Sequence, residues 1–263
     1  MLPDFEMIQH QFHGGHDISV IPVADVHLGS PECREQEFIQ FINKVAETPN
    51  VYLCLLGDLI DNGTKSSVTN CYKATMSPSA QKREMAKILE PVRDRVLCIL
   101  PGNHERRSMK DVDDDPVYDI AAKLDIEDLY RENIAFVKIQ MGKEDHTAAG
   151  KDRPTYILTV THGAGGGIMT GGAVNRSERF GYVIDGMDAL IVGHTHKPYT
   201  TQPGKIVIDS RNNQVTVKPF KVICATSWLS YGGYASRMLL LPATFCMNTI
   251  NLSGYRKEIT VTM

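Results

Sequence analysis

Five short apolar runs in this sequence each end on a residue type that commonly binds metal ions. The residues at these ends are Asp25, Asp58, Asn103, His162 and His194. Apolar runs of this length, rich in Val, Ile and Leu, are typical of strands buried on both faces of a sheet. Open α/β sheets bind ligands at the carboxyl ends of their strands, so these side chains are expected along one sheet edge. The pattern therefore predicts a metal-centred active site.

Three further histidines follow these strand ends, namely His27 in DVH, His104 in GNHE and His196 in GHTH. Taken singly, the triplets Asp-x-His and GNH and the motif GDxxD are more common in turns and helix caps, since Gly and Asn tolerate left-handed backbone. GHxH is a stronger signal, because two imidazoles two residues apart can project towards one site. The specificity lies in the complete set, found in order with each member at the end of a strand.

The elements between these motifs predict how the strands pair. The segment 35–47 has apolar residues at helical spacing and predicts an amphipathic helix. A second helix is expected to begin at Ser77-Pro78, with Ser77 as its cap, and a third at Asp115-Pro116. The resulting strand–helix–strand–helix–strand order predicts parallel pairing with right-handed crossovers.

The second half of the chain is rich in strands, with one helix expected near 174–184. We therefore expect one α/β domain over residues 1–263, a two-sheet sandwich of four layers (α/β/β/α) with helices on the outer faces. The charged segment 106–115 is interpreted as a loop. The evenly spaced histidines of QHQFHGGH invite a second metal site, but a mobile terminus or hairpin turn is the preferred interpretation. Strands are expected at 134–141, 155–161, 205–209, 214–218, 221–226 and 258–262.

Composition excludes several classes of protein. The chain has 263 residues and a net charge of -3, which argues against a basic surface over the whole protein that coats nucleic acid but leaves a locally basic groove open. Its six cysteines form no CxxC pair, and Cys54 and Cys98 lie inside apolar strand runs, which favours a reducing compartment. No apolar run approaches the roughly 20 residues of a membrane span. We expect a cytoplasmic protein without a membrane partner, and the sequence leaves its oligomeric state open.

The motifs DxH, GDxxD, GNHE, a later isolated His and GHxH resemble, in that order, the calcineurin-like metallophosphoesterases. The resemblance spans Asp25 to His196, and every motif position is filled. It implies a two-metal phosphoesterase in which Asp58 bridges the two ions. Imidazole, carboxylate and amide ligands suit manganese, the first expectation, as well as Fe, Zn or Ni. The implied ligands are Asp25, His27, Asp58 and His196 for the first ion, and Asp58, Asn103, His162 and His194 for the second.

The resemblance also implies a mechanism. Two ions about 3.5–4 Å apart generate a bridging hydroxide that attacks phosphorus in line, without a covalent enzyme intermediate. His104 matches the histidine of the family that is not a ligand and would protonate the leaving oxygen or stabilise its charge. Asp61 would orient His104, although a helix cap at 61–64 is an alternative role for it.

Substrate choice is expected to reside in loops over the site. Arginines near these loops could bind phosphate in a bidentate way, but each of them, taken singly, is as readily a surface residue. Aromatic residues near 228–234 could stack on a base or could belong to the core. The arginines are Arg106, Arg107, Arg176 and Arg179, and the aromatic residues are Trp228, Tyr231 and Tyr234.

Two branches of the family compete as models for the substrate. DVHLG resembles the start of DNA repair exonucleases, whereas GNHE and GDLIDNG resemble serine/threonine protein phosphatases. Those phosphatases, however, grip phosphate with an arginine where this chain has Asn62. We therefore expect a phosphodiesterase or nuclease acting on DNA, RNA or nucleotides, with a broad or protein phosphomonoesterase as the alternative. A scaffold without catalytic activity is disfavoured because all ligand positions are intact.

Overall fold

The computed structural model describes residues 5–13, 15–65, 67, 71–142, 154–165 and 169–263, with the side chain of Tyr234 left out. The helices in these ranges are α1 (Glu35–Glu47), α2 (Pro78–Leu89), α3 (Glu105–Val112), α4 (Pro116–Leu124), α5 (Thr170–Val183) and α6 (Gly233–Arg237). The strands are β1 (Met7–Phe12), β2 (Ile18–Val23), β3 (Val51–Leu55), β4 (Val96–Ile99), β5 (Ile134–Met141), β6 (Thr155–Thr161), β7 (Ala189–Val192), β8 (Tyr199–Thr201), β9 (Gly204–Asp209), β10 (Gln214–Pro219), β11 (Lys221–Cys224), β12 (Thr249–Leu252) and β13 (Ile259–Thr262).

Two mixed sheets form the centre of the molecule. One has the strand order β13-β12-β2-β3-β4 and the other has the order β1-β5-β6-β7-β11-β8. In the first sheet β2, β3 and β4 are parallel, as the strand–helix order predicted. In the second sheet β6, β7 and β11 are parallel. The strands that carry the motifs therefore run in parallel within each sheet.

Three apolar cores separate the layers, because alternate residues of each strand point to opposite faces. Val20 of β2 and Ile191 of β7 pack between the two sheets. The neighbouring Ile21 faces a core formed with α1, α2 and α4. On the far side, Leu190 packs in a core that includes Ala173 of α5. The order helix, sheet, sheet, helix confirms the predicted four-layer α/β sandwich.

The predicted helix signals are confirmed in the structure. Helix α1 has the predicted bounds, 35–47, and buries the apolar stripe that defined it. The Ser77 hydroxyl accepts a hydrogen bond from the N–H of Ala80 at the start of α2. The Asp115 carboxylate likewise accepts from the N–H groups of Val117 and Tyr118 at the start of α4. These side chains satisfy donors that a helix start leaves free.

The interpretation of 106–115 as a loop was wrong, because Glu105–Val112 forms helix α3. The buried face of α3 consists of two polar residues, Glu105 and Ser108. Apolar periodicity reveals a helix only when its inner face is apolar, so this helix gave no such signal.

The amino-terminal segment also differs from the expectation. Met7–Phe12 is neither a mobile terminus nor a turn but strand β1, which pairs in parallel with β5 at the edge of the larger sheet. Within it, the Nε2 atom of His10 lies 2.8 Å from the carbonyl oxygen of Leu97. The described residues show no metal cluster that includes His10, His13 or His16. His146 lies outside the described residues.

Strands β9 and β10 form a hairpin that belongs to neither large sheet. Ile206, Ile208, Val215 and Val217 are all exposed on it. Because β8 runs antiparallel to β11, this hairpin lies at the end of the sheet opposite to the predicted site. Among the described helices, none combines the length and apolar character that crossing a lipid bilayer requires.

Candidate metal centre

The two sheets present their parallel strand ends at one common edge. Asp25 and His27 follow β2, while Asp58 and Asn103 follow β3 and β4. From the other sheet, His162 follows β6, and the pair His194 and His196 follows β7. The contacts described below join the two sets, so the structure brings together all seven residues predicted as ligands.

The first cluster consists of Asp25, His27 and His196, whose ligand atoms lie within 4.8 Å of one another. The Oδ1 atom of Asp25 is 3.3 Å from Nε2 of His196. The other oxygen, Oδ2, accepts a hydrogen bond of 2.9 Å from the N–H of His194. The carboxylate is thus held by one oxygen and offers the second to the cluster.

The second cluster consists of Asp58, His162 and His194, again with ligand atoms within 4.8 Å. Nδ1 of His162 lies 2.7 Å from the carbonyl oxygen of Leu56, a contact that requires Nδ1 to donate. That hydrogen bond leaves Nε2 as the atom that can bind a metal ion. Nε2 lies 3.0 Å from Oδ1 of Asn103 and 3.3 Å from Nδ1 of His194. Four potential ligands therefore converge on one point.

Asp58 lies between the two clusters. Its Oδ1 atom accepts a hydrogen bond of 2.8 Å from the N–H of His104. Its Oδ2 atom is 3.8 Å from Nε2 of His27 in the first cluster and 3.5 Å from Nε2 of His162 in the second. One oxygen facing two clusters is the arrangement that a bridging carboxylate requires.

Several buried polar atoms in the first cluster have no hydrogen-bond partner among the described residues. They are Oδ1 of Asp25 and both ring nitrogens of His27. Burying such atoms without partners is costly, and buried charges are usually paired or coordinate metals. A divalent cation among these atoms would satisfy them, so the donor set fits the metal ions that the sequence implied.

The backbone at the site is strained. Asp25, His27, Asp58, His194 and His196 all have φ between 50° and 66°. This left-handed region is uncommon for residues other than Gly and costs roughly 1–3 kcal/mol per residue. Five such residues at one edge of the sheets persist only because the surrounding structure holds them there, as is typical of functional sites.

Glycine is required at Gly57 and Gly102, where the loop after β3 meets the loop after β4. A Cβ atom on Gly102 would lie 2.2 Å from Oδ1 of Asp58 and 2.4 Å from its backbone nitrogen. A Cβ atom on Gly57 would lie 2.1 Å from the backbone nitrogen of Gly102. The two loops approach so closely that only glycine fits at either position.

His104 lies beside the two clusters and contacts Asp61. Its Nδ1 atom is 2.8 Å from the backbone carbonyl oxygen of Asp61 and 3.4 Å from the carboxylate Oδ1. Its Nε2 atom lies 4.0 Å from Oδ2 of Asp58, towards the clusters. His27, Asp58 and His104 are also close enough to share an ion. No helix begins at 61–64, so Asp61 is not a helix cap.

The charges at the site shift several pKa values. Burial lowers the pKa of His162, but the carboxylates of Asp58, Asp25 and Glu105 together outweigh burial and raise it to about 9. Burial and the neighbouring His104 together hold the pKa of His27 well below its usual value. Although burial disfavours the charged form of Asp58, His162 and His104 hold its pKa well below the usual range. Without metal ions, His162 thus carries a proton beside the ionised Asp58 carboxylate.

Two buried residues that the sequence analysis did not single out hold the loops in place. The Glu105 carboxylate accepts hydrogen bonds from the N–H groups of Asp58 (2.9 Å), Ile60 (3.1 Å) and Gly102 (2.9 Å). Burial, followed by the charge of Asp58, raises the pKa of Glu105 to about 7. Gln81, on α2, accepts from the N–H of Asn62 at 2.9 Å. Glu105 belongs to the GNHE motif, which was the available signal, whereas Gln81 had none.

The four candidate arginines differ in their contacts and exposure. Arg106 pairs with Glu132 through its carboxylate at 3.7 Å and through its carbonyl oxygen. Arg107 lies 3.3 Å from the Ser67 hydroxyl. Burial and the charge of Arg107 lower the pKa of His104, but Asp58 and Asp61 outweigh them and raise it above its usual value. The guanidinium of Arg176 lies against Gly165, and Arg179 is exposed.

Of the candidate aromatic residues, Trp228 and Tyr231 differ in burial. Trp228 is buried and packs against the rings of Phe38, Phe41 and Phe245, so it belongs to the core and is no platform for a base. Tyr231 is exposed. The side chain of Tyr234 lies outside the described part of the chain.

Comparison with known families decides the assignment. The calcineurin-like phosphoesterase family matches residues 18–198, which include every motif described above. The chain belongs to the calcineurin-like phosphoesterase family. It is therefore a hydrolase of phosphoesters, and the family implies divalent metal ions, for which the clusters supply candidate ligands. No curated protein matches the chain.

Three solved structures resemble this chain at low identity. A conserved uncharacterized protein of Streptococcus pneumoniae, described as a predicted phosphoesterase, is 10% identical with a TM-score of 0.37; the match covers 93% of this chain and 88% of that chain. The calcineurin-like phosphoesterase YfkN of Bacillus subtilis is 12% identical with a TM-score of 0.40, covering 94% and 91%. The NAD nucleotidase of Haemophilus influenzae is 11% identical with a TM-score of 0.43, covering 94% and 49%. Similarity this low assigns no substrate.

Proposed function

We propose that this protein is a phosphodiesterase with two metal ions. The observation that carries the proposal is the position of Asp58, whose Oδ2 atom faces both clusters at 3.8 and 3.5 Å. Manganese is the expected ion, and Fe, Zn or Ni suit the same ligands. Asp25, His27, Asp58 and His196 would hold the first ion, and Asp58, Asn103, His162 and His194 the second.

The residues of the chain then have separate roles. When bound, the two ions activate water as the nucleophile and stabilise charge on the phosphoryl group. His104 donates a proton from Nε2 to the leaving oxygen, a role typically worth roughly 10²–10⁴ in rate. Asp61 holds Nδ1 of His104 through its carbonyl and carboxylate oxygens, so that Nε2 faces the site. Glu105 holds the backbone of Asp58 in place.

A phosphodiester of nucleic acid or of a nucleotide is the proposed substrate. A phosphomonoester near neutral pH carries up to two negative charges, and additional cationic side chains strengthen its binding. At the position where protein phosphatases carry a gripping arginine, this chain has the buried and neutral Asn62. A diester carries a single negative charge, so it depends less on such a cation. A broad phosphomonoesterase, using Arg107 or Arg176, is the second candidate.

The test is a screen of Mn, Fe, Ni, Zn and Mg against an aryl monoester, an aryl diester, and single- and double-stranded oligonucleotides. Diester cleavage with little monoester turnover is expected, and the reverse preference would replace the proposal with the second candidate. Asp58→Asn should abolish activity and reduce the metal content. Asp94→Asn, at a carboxylate that is 93% exposed, is the matched control and should change neither. A chain without metal or hydrolysis would indicate a scaffold.

We also propose that residues 1–263 form one domain in a reducing compartment such as the cytoplasm. Strands beyond the matched residues 18–198 complete both sheets, since β11 lies between β7 and β8 and β12 pairs with β2. All six cysteines are free thiols in the structure. Limited proteolysis should therefore yield no stable fragment that lacks 199–263, and a stable fragment of that kind would contradict the single domain.

A further inference from the structure

The Asn62 side chain is turned into the protein rather than towards the substrate. Asn62 is 1% exposed, although it directly follows Asp61, which contacts His104. Its backbone is left-handed, with φ of 44°. Asn is among the few residues besides Gly that adopt this conformation at moderate cost. Both the side chain and the backbone of Asn62 are therefore constrained.

The Asn62 amide group binds the start of helix α3. Its Nδ2 atom donates to the backbone carbonyl of His104 at 2.9 Å and to the Ser108 hydroxyl at 2.6 Å. A longer contact of 3.4 Å reaches the carbonyl of Glu105. Nδ2 carries two hydrogens, so His104 and Ser108 together satisfy the donor capacity of the amide.

The backbone of Asn62 is itself held from α2. Its N–H donates to Oε1 of Gln81 at 2.9 Å, and Nε2 of Gln81 donates to the carbonyl of Met76 at 2.9 Å. Gln81 is fully buried. A continuous set of hydrogen bonds thus runs from α2 through Asn62 to the backbone of His104.

These contacts hold both backbone polar groups of His104 as well as its ring. Its N–H is bound by Oδ1 of Asp58 and its carbonyl by Asn62, while Asp61 holds the ring. Without the Asn62 amide, the His104 carbonyl would lose its side-chain donor and Asn62 would lose its contacts with α3. A displacement of about 1 Å in a catalytic group can reduce a rate by roughly 10²-fold.

We propose that Asn62 is a positioning residue for proton donation by His104. Asn62 would hold His104 so that Nε2 reaches the leaving oxygen, and Gln81 would hold Asn62. The position that grips phosphate in protein phosphatases would thus serve here to orient the acid. This inference rests on the proposed role of His104 as proton donor, and its experiment separates the failure of each.

The distinguishing measurement is how the rate depends on the leaving group of the ester. An alkoxide needs a proton as it departs, whereas p-nitrophenolate is stable without one. A misplaced acid therefore slows only the ester with the poor leaving group. A residue that merely stabilises the fold or the metal ions would slow both esters equally when removed.

The experiment compares two diesters that share a nucleoside, the p-nitrophenyl ester of thymidine 5′-phosphate and the dinucleotide of thymidine. Asn62→Gly removes the amide and still permits the left-handed backbone. We expect kcat for the dinucleotide to fall about tenfold or more, and kcat for the aryl ester to change by less than about threefold. The metal content per chain should match that of the wild type.

Two further variants keep the proposal falsifiable if Asn62→Gly fails to fold. Asn62→Asp keeps the shape of the side chain but loses both donors, so it should show the same selective loss. Ser108→Ala removes the other partner of Asn62 and leaves its bond to His104, so the ratio of the two rates should stay within about threefold. Equal losses for both esters, no loss, or loss of metal in the Asn62 variants would overturn the proposal.

His104→Gln distinguishes a wrong role for His104 from a wrong role for Asn62. It should reproduce the selective loss on the dinucleotide, with a larger magnitude. If His104→Gln slows both esters equally, His104 is not the proton donor, and the role of Asn62 falls with it. If the wild type cleaves neither diester but does cleave monoesters, the proposed substrate is wrong. Aryl and alkyl monoesters then give the same test of Asn62.

Discussion

The carboxylate of Glu105 accepts a hydrogen bond of 2.9 Å from the backbone N–H of Asp58. The same carboxylate binds the N–H groups of Ile60 and Gly102. It therefore joins the loop after β3 to the loop after β4, and it holds Asp58 in its left-handed conformation. A buried acid on a polar helix face thus anchors Asp58, the residue that faces both clusters.

Replacing Glu105 should weaken both the fold and the centre. Glu105→Gln keeps the size of the side chain but brings an N–H₂ group towards backbone N–H donors. We expect a loss of about 1–3 kcal/mol in the free energy of unfolding, measured in urea with chelator present. The metal content should also fall. Glu127→Gln on the surface is the control, and equal stability of the two variants would argue against this anchor.

His104→Gln should slow turnover and leave the metal ions in place. A proton donor contributes roughly 10²–10⁴ in rate, and the variant removes the proposed donor without removing a proposed ligand. Steady-state kinetics with an alkyl ester and elemental analysis of the same sample measure the two quantities. Loss of metal would show that His104 is a ligand, as its proximity to His27 and Asp58 also permits.

Metal binding should release a proton near pH 7.5. Burial lowers the pKa of His162, but the carboxylates of Asp58, Asp25 and Glu105 together raise it to about 9 in the metal-free centre, so His162 is protonated below that pH. A metal ion binds only the neutral imidazole and must displace the proton. Calorimetric titration with Zn should give enthalpies that depend on the ionisation enthalpy of the buffer. Affinity should decrease as the pH is lowered, and an enthalpy independent of the buffer would contradict this protonation state.

The close approach at Gly102 predicts a severe effect from a single methyl group. Gly102→Ala would place Cβ within 2.2 Å of the Asp58 carboxylate and 2.4 Å of its nitrogen. The backbone cannot move aside easily, so we expect loss of metal binding and activity. Gly172→Ala is the matched control, because a Cβ there meets nothing within 4 Å and Gly172 lies in helix α5. That control should stay active and gain about 0.5–1 kcal/mol in stability.

The sequence predicted the layers and the strand ends because their signals are local. A buried parallel strand is an apolar run, and its end is marked by the polar residue that follows it. The bounds of α1 and the caps of α2 and α4 were predictable for the same reason. Asp25 and His194 are 169 positions apart, and only the order of motifs shared with a family indicated that they meet.

Other features had no local signal. Helix α3 has polar residues on its buried face, so its periodicity was invisible. Gln81 matters through a bond to Asn62, 19 positions earlier, and nothing near it in the sequence marks that contact. Strand β1 forms because β5 offers an edge to pair with, which depends on the completed sheet. Long-range contacts of this kind determine which polar residues become part of the site.

The most direct test of the central claim is anomalous diffraction from crystals grown with manganese. We expect two peaks about 3.5–4 Å apart, one on each side of the Asp58 carboxylate. One should lie among Asp25, His27 and His196, and the other among Asn103, His162 and His194. A single peak, or two peaks that do not share Asp58, would contradict the proposed two-metal centre.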